Sequence, residues 1–159
     1  MEKLYQNEKA LEAYIGTPEK YYWYKVAFSK YDLNGIEKFS WVWSWYSFFF
    51  GPLYLLYRKC YVEALVVWIG MAIISSINGF LGFLVSIALG GTLPYLIFKR
   101  YKKTIEKVES VEDDFDKQLG LLSSLGGTNN TARNIGIIIY ILTMILGMTF
   151  TMFFYSMYQ

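Results

Sequence analysis

Two basic clusters carry the chemistry open to this chain: Arg58-Lys59, and Lys99, Arg100, Lys102 and Lys103. Each sits at the foot of an apolar run, where it would contact anionic lipid headgroups, and each such charge contributes on the order of 1 kcal/mol near an anionic surface. A shared phosphate pocket would need the two clusters to converge. The plainer reading is that they only set orientation across a bilayer. Glu63, four residues past Lys59, is the one carboxylate near a run. Buried intramembrane acids mark proton or ion paths, yet Glu63 is close enough to the interface to pair with Lys59 or reach water. Glu109, Glu112, Asp113 and Asp116 fall at i, i+3, i+4 and i+7 of one helical face. With no glycine-containing calcium loop around them, they read as a solvated acidic face.

The chain has no histidine and one cysteine, Cys60, which excludes an internal disulfide and any His-based or multi-Cys metal site. The commonest general base is therefore missing. No Gly-x-Ser-x-Gly elbow, Walker loop or dinucleotide fingerprint occurs. No catalytic residue, cofactor or metal site is assigned, and the expectation is a protein that is not an enzyme. A formal charge of +2 is too small to point to nucleic acid.

The elements that must position these residues are apolar runs. Ala64 to Phe98 and Ile135 to Met157 hold no charged residue, and about 20 apolar residues cross the roughly 30 Å hydrocarbon core. Ser75-Ser76-Ile77-Asn78-Gly79 is the turn-forming cluster inside the first run. Residues 52–98 are thus predicted as a transmembrane hairpin, with one helix from Pro52 to Ile77 and a second kinked or broken at Gly90-Gly91 and Pro94. Residues 135–159 supply a third span. Residues 1–38, with six Lys and six Asp or Glu, form a polar cytoplasmic segment of two helices divided at Gly16-Thr17-Pro18. Its second helix carries Tyr21, Tyr24, Phe28 and Tyr31 on one face and should dock on something. Residues 39–51 form an aromatic interfacial or re-entrant helix, with Trp41, Trp43, Trp45 and nearby Tyr57 at headgroup level. Residues 99–134 continue as a basic-then-acidic helix with an apolar stripe, then a Gly/Asn loop.

The predicted fold class is an all-α integral membrane protein: three transmembrane helices (a hairpin plus a C-terminal span), an aromatic interfacial helix and a cytoplasmic helical cap. Arg58, Lys59, Lys99, Arg100, Lys102, Lys103 and Arg133 fall on one side of the runs, placing the N-terminus inside and the C-terminus outside. The alternative makes 40–57 a fourth span, which would export the N-terminal lysines. Gly82, Ser86 and Gly90 line one face of span two, and Thr143, Gly147 and Thr151 one face of span three. Small residues four apart let helices approach closely in lipid, so these faces are expected to pack on each other or to make a homo-oligomer.

The strings Phe39-Ser40-Trp41, Phe48-Phe49-Phe50-Gly51-Pro52 and Leu55-Leu56-Tyr57-Arg58-Lys59-Cys60-Tyr61 resemble a family of small bacterial inner-membrane proteins known as domain of unknown function 2628. Pro94-Tyr95 to Val108 is similar to its span-to-basic-helix junction, and Gly126-Gly127-Thr128-Asn129 to its Gly-Gly-Thr loop. The resemblance covers roughly residues 18 to 140 and departs at Cys60, where Met is usual, at Tyr54, where Trp is usual, and at Thr92-Leu93-Pro94. Some relatives carry a zinc ribbon, for which this chain lacks the ligands. The resemblance implies a location in the bacterial inner membrane and no reaction. Two roles are expected from the sequence: an assembly or regulatory partner in the bilayer that contacts anionic lipids, or a subunit of an oligomeric small-solute transporter or channel, suggested by the glycines and proline of span two. A lipid-directed enzyme lacks a nucleophile-base pair.

Overall fold

The computed structural model describes residues 4, 7–33 and 35–157, with the side chains of 150, 151, 154 and 155 outside the description. The fold is all-helical apart from one tiny hairpin. The helices are α1 (Glu8–Ile15), α2 (Pro18–Tyr31), α3 (Trp45–Tyr57), α4 (Tyr61–Ile77), α5 (Gly79–Val111), α6 (Phe115–Leu125) and α7 (Asn130–Met157). The hairpin pairs β1 (Asp32–Leu33) with β2 (Ile36–Glu37), Asp32 opposite Glu37 and Leu33 opposite Ile36. Gly16 closes α1 in the left-handed conformation at φ 59°, and Thr17 and Pro18 open α2, as the Gly-Thr-Pro order dictates. Asn78 turns α4 into α5 and caps the latter, its Oδ1 accepting from the Phe80 N–H at 2.7 Å.

The core lies where α1, α2 and α6 pack on the C-terminal half of α5. Phe28 meets Phe98 and Tyr101 at ring distances of 5.3 and 5.5 Å, and Tyr31 meets Phe98 at 5.4 Å. The aromatic stripe of α2 therefore docks on α5, which runs on from its apolar half without interruption. Ile15, Ile105, Val108 and Leu122 complete the buried centre.

Several expectations need correction. Residues 38–44 are not helical and carry no regular secondary structure. This strap crosses α5 at its two adjacent glycines: a Cβ on Gly91 would overlap the Trp41 indole, and one on Gly90 would lie 2.7 Å from Trp43 Cζ3. Pro94 has no N–H, so the carbonyl four residues back, that of Gly90, loses its helical donor. The Ser44 N–H takes that place at 2.8 Å. Helix α5 is consequently continuous from Gly79 to Val111, and the glycines and proline expected to break it form a seat for the strap.

The expected helix from Pro52 to Ile77 is divided at Arg58-Lys59-Cys60. The Cys60 N–H bonds back to Leu55 O at 2.9 Å and the Lys59 N–H to Leu56 O at 3.1 Å, while Lys59 takes φ 60°. This is a Schellman closure of α3 with lysine in the left-handed position usually held by glycine. The acidic face also dissolves: α5 ends at Val111, Glu112 is extended, and Asp114 caps α6 through the Lys117 N–H.

The small-residue faces of α5 and α7 do not meet. A Cβ on Gly82 would lie 3.2 Å from Ser75 Cβ of α4, and Ser86 Oγ donates to Gly82 O at 3.1 Å within its own helix. Gly90 receives Trp43 instead. Helix α7 docks on α3 through Gly136, whose Cβ would lie 2.9 Å from Leu53 Cδ2; at Gly147 an added Cβ meets no atom within 4 Å, and Thr143 is exposed. The Thr151 side chain lies outside the described residues. The physical reason is that other elements reach these helices: α4 covers Gly82, the strap covers Gly90, and α7 is held on α3 at Gly136 and not through Thr143 and Gly147.

Gly91→Ala should destabilise the protein by about 1 to 3 kcal/mol, because a methyl group must displace a packed indole. Gly120→Ala, where nothing lies within 4 Å, should be neutral or stabilise by up to about 1 kcal/mol. Thermal unfolding in detergent with tryptophan emission as the signal checks this. Unchanged melting and emission in Gly91→Ala would mean that the strap is not seated on α5.

Candidate functional site

Arg58 is the organising residue. It is only 5% exposed, although it occupies the turn between α3 and α4. Its Nη1 donates to Ile15 O at 2.9 Å and its Nη2 to Thr17 Oγ1 at 3.2 Å. Ile15 O is one of the last carbonyls of α1, which have no intrahelical donor, and the Thr17 side chain makes no capping bond to α2. The guanidinium thus supplies from a distant turn what the α1–α2 junction lacks. It also lies over the Tyr24 ring at 4.6 Å and the Tyr57 ring at 5.4 Å. The Tyr24 and Tyr54 hydroxyls bond each other beside it. Burial pushes the Tyr24 hydroxyl well above the ordinary phenol range, so this group stays protonated and is no base at neutral pH.

The residues around Arg58 stitch the same junction. Tyr57 O accepts from the Asn129 N–H at 2.8 Å, and Asn129 Nδ2 donates to Tyr61 Oη at 2.8 Å. Lys59 Nζ donates to Ser124 O at 2.8 Å. The Gly127 N–H donates to Tyr14 O at 2.6 Å, and a Cβ on Gly126 would strike that same carbonyl. The two glycines of the loop are there because it passes directly over the end of α1. Asn129 also caps α7, its Oδ1 accepting from the Ala132 N–H at 2.9 Å.

A cavity of about 770 Å³ opens beside this junction, between α2, α3 and the start of α7. Lys20, Arg58 and Arg133 line it with the single carboxylate of Glu19, and aromatic residues form most of its walls. Lys20 Nζ lies 5.1 Å above the Tyr46 ring, and the Arg133 guanidinium 5.6 Å above that of Tyr57. Arg133 also donates to Asn134 Oδ1 at 3.0 Å from Nη2.

The second basic cluster does not reach this place, so the two clusters do not share one pocket. Arg100 pairs with Glu63 at 3.8 Å, and Lys102 with Glu37 at 3.6 Å. Lys99 lies over the Tyr95 ring at 5.8 Å, and Lys103 is exposed. Glu37 also accepts from Tyr95 Oη at 2.6 Å, and this bond, ahead of the nearby lysines, holds its carboxyl below the usual carboxylate range. Of the aromatics expected at an interface, Trp43, Trp45 and Tyr57 line the cavity, while Trp41 lies over Gly91. Lys20 and Arg133, which also line the cavity, lie outside the two basic clusters of the sequence. Lys20, Trp23 and Tyr24 at i, i+3 and i+4 mark a second face of α2, and Arg133 closely follows the Gly-Gly-Thr-Asn loop.

This geometry defines an all-helical protein in which an aromatic cap is clamped onto apolar helices by one buried arginine, with a cationic, aromatic-walled cavity beside the clamp. The chain belongs to the family described as Protein of unknown function (DUF2628), whose model matches residues 8–149. No curated protein and no solved structure matches it.

Arg58→Lys keeps the charge but loses the guanidinium fork, and it should cost about 2 to 4 kcal/mol by leaving buried acceptors unpaired. Lys59→Gly should be close to neutral, since relief of a left-handed residue, about 1 to 2 kcal/mol, offsets one exposed hydrogen bond. Melting temperatures of the two variants in the same detergent decide this; equal losses would count against the clamp.

Proposed function

We propose that this chain is a multi-pass protein of the bacterial inner membrane, in which α4, α5 and α7 cross the bilayer and α1, α2 and α6 form a cytoplasmic cap. The observation that carries the reading is the exposure of its apolar helices. Two ranges are long and apolar enough to cross a membrane, Gly79–Val111 and Phe115–Thr149; the second joins α6 to most of α7 across the Gly126-Gly127 turn. Only 33% and 6% of their apolar windows are buried within the protein. A core helix of a water-soluble domain would be covered, whereas Ile138, Leu142 and Leu146 of α7 and Leu65, Ile69 and Ile73 of α4 are all exposed. Patches of that size call for lipid or a partner. The 17 residues of α4 make about 26 Å of helix, which spans with local thinning or with help from its ends. Helix α3, with 13 residues and a bend at Gly51, is too short to cross at about 20 Å and suits the interface.

The role that fits is a non-enzymatic assembly or regulatory partner in the membrane. The buried Arg58 joins the α1–α2 connection to the α3 turn through Ile15 O and Thr17 Oγ1, and the buried Tyr24 phenol is held protonated. Affinity purification in mild detergent should recover a specific companion protein; repeated recovery of the chain alone would count against this role. The transport reading loses its motive, because α5 is unbroken where a break was expected.

Topology is directly testable. In a Cys60→Ser background, a cysteine at Asn78 should react with an impermeant thiol reagent added outside intact cells, while one at Ser123 should react only after lysis. The warrant is the one-sided distribution of Arg and Lys around the apolar helices. External labelling at Ser123 would invert the proposed arrangement.

A further inference from the structure

The cavity beside Arg58 combines charged side chains with a mostly aromatic and aliphatic lining. Among the described residues, Lys20, Arg58 and Arg133 line it with one carboxylate, Glu19, an excess of two positive charges. Arg58 is 95% buried by its 5% exposure, and its Nε has no acceptor; Trp43 Nε1, from the strap on the opposite wall, is also buried without one. Buried donors of this kind are normally satisfied. The lining also includes Phe50 and Ile137, which are 53% and 38% exposed. They lead onto the outer surfaces of α3 and α7, next to exposed Phe49 and Ile138. The volume, about 770 Å³, falls within the range of roughly 300–1,000 Å³ for small-molecule sites.

We infer that this cavity binds an anionic phospholipid, with the headgroup phosphate against Lys20, Arg58 and Arg133 and the first part of the acyl chains along Phe50, Leu53 and Ile137. The inference rests on the membrane reading above, which sets the first turns of α2 and α7 at the cytoplasmic headgroup level and the faces of α3 and α7 in lipid. Charge selects an anionic headgroup over a zwitterionic one, because one carboxylate faces three cations. The apolar part of the lining selects a lipid over free phosphate. The site differs from a general attraction of surface lysines: its central cation is buried and held at fixed geometry by Ile15 and Thr17, so the phosphate meets a prearranged group.

The test uses the full chain in mixed micelles, with tryptophan quenching by brominated-chain phosphatidylglycerol compared with brominated-chain phosphatidylcholine. Trp23, Trp43 and Trp45 line the cavity and report occupancy. Phosphatidylglycerol should quench at about tenfold lower mole fraction, the scale expected when two or three cations act together. Lys20→Gln with Arg133→Gln should bring the preference below about threefold while leaving the circular dichroism and melting temperature near those of the parent. Lys103→Gln with Lys107→Gln, both exposed and outside the cavity, should retain it. Equal loss in both double variants, or no preference in the parent, would overturn the site. So would relief of the quenching by millimolar inorganic phosphate at constant ionic strength, which would make the ligand free phosphate. Alkaline carbonate extraction separates the two levels of failure. A chain released from membranes by carbonate removes the membrane reading itself, whereas a retained chain quenched equally by both lipids removes only the lipid site.

Discussion

A guanidinium placed almost wholly out of water must have partners, and in this protein they are the unfinished ends of two helices. Arg58 leaves the Schellman turn after α3 and reaches Ile15 O at 2.9 Å and Thr17 Oγ1 at 3.2 Å. The same contact that satisfies the arginine satisfies the α1–α2 junction. Removing either side would leave a buried polar group exposed to an apolar surrounding, which is why breaking such contacts costs more than the bond itself gains. The bonds from Asn129 to Tyr57 and Tyr61 and from Lys59 to Ser124 tie the α6–α7 connection to the same turn. Three separate connections, α1–α2, α3–α4 and α6–α7, therefore share one point.

Around that point the aromatic side chains do two kinds of work. Phe28 and Tyr31 dock the cap on α5 through tilted and edge-on ring contacts, the arrangement that aromatic quadrupoles favour, and Tyr24 reaches Tyr54 of α3 through its hydroxyl. Trp41 and Trp43 hold the strap against α5 at Gly90-Gly91, where the absence of side chains lets flat rings approach the backbone. Pro94 gives the strap a hydrogen-bond acceptor by withholding its own donor from Gly90. Helix α5 can thus carry a proline without breaking, because another segment of the chain uses the carbonyl that the proline frees.

The proposed lipid site follows from the clamp. The bonds that hold Arg58 in place also fix one wall of the cavity, and the strap that seats Trp43 on Gly90 brings a second unpartnered donor to the opposite wall. Helix α7 enters through Asn129 and carries Arg133 one turn later. A phosphate at this position would touch groups from α2, α3 and α7 at once and would join the cap to the apolar helices. On the membrane reading, headgroup charge and folding would then be coupled at the cytoplasmic surface.

The elements visible in the one-dimensional pattern are those decided by short-range physics. The uncharged runs from Ala64 to Phe98 and from Ile135 to Met157, the Gly16-Thr17-Pro18 junction, the turn at Asn78 and the docking stripe of α2 depend on hydropathy, capping and helical spacing, and they are where the pattern puts them. The family could be read from its motifs for the same reason, since those motifs are contiguous strings. What the motifs do was decided in three dimensions. Arg58-Lys59 has the composition of a headgroup anchor, yet the α3 turn directs Arg58 inward to partners more than forty residues away. Gly90-Gly91 with Pro94 has the composition of a break, yet the strap fills the space and takes the free carbonyl. The small faces on α5 and α7 match each other on paper, but α4 covers Gly82, the strap covers Gly90, and α7 sits on α3 through Gly136 instead. Periodicity identifies a face; only the tertiary path of the chain determines which partner reaches it first, because packing in a dense interior excludes every later competitor.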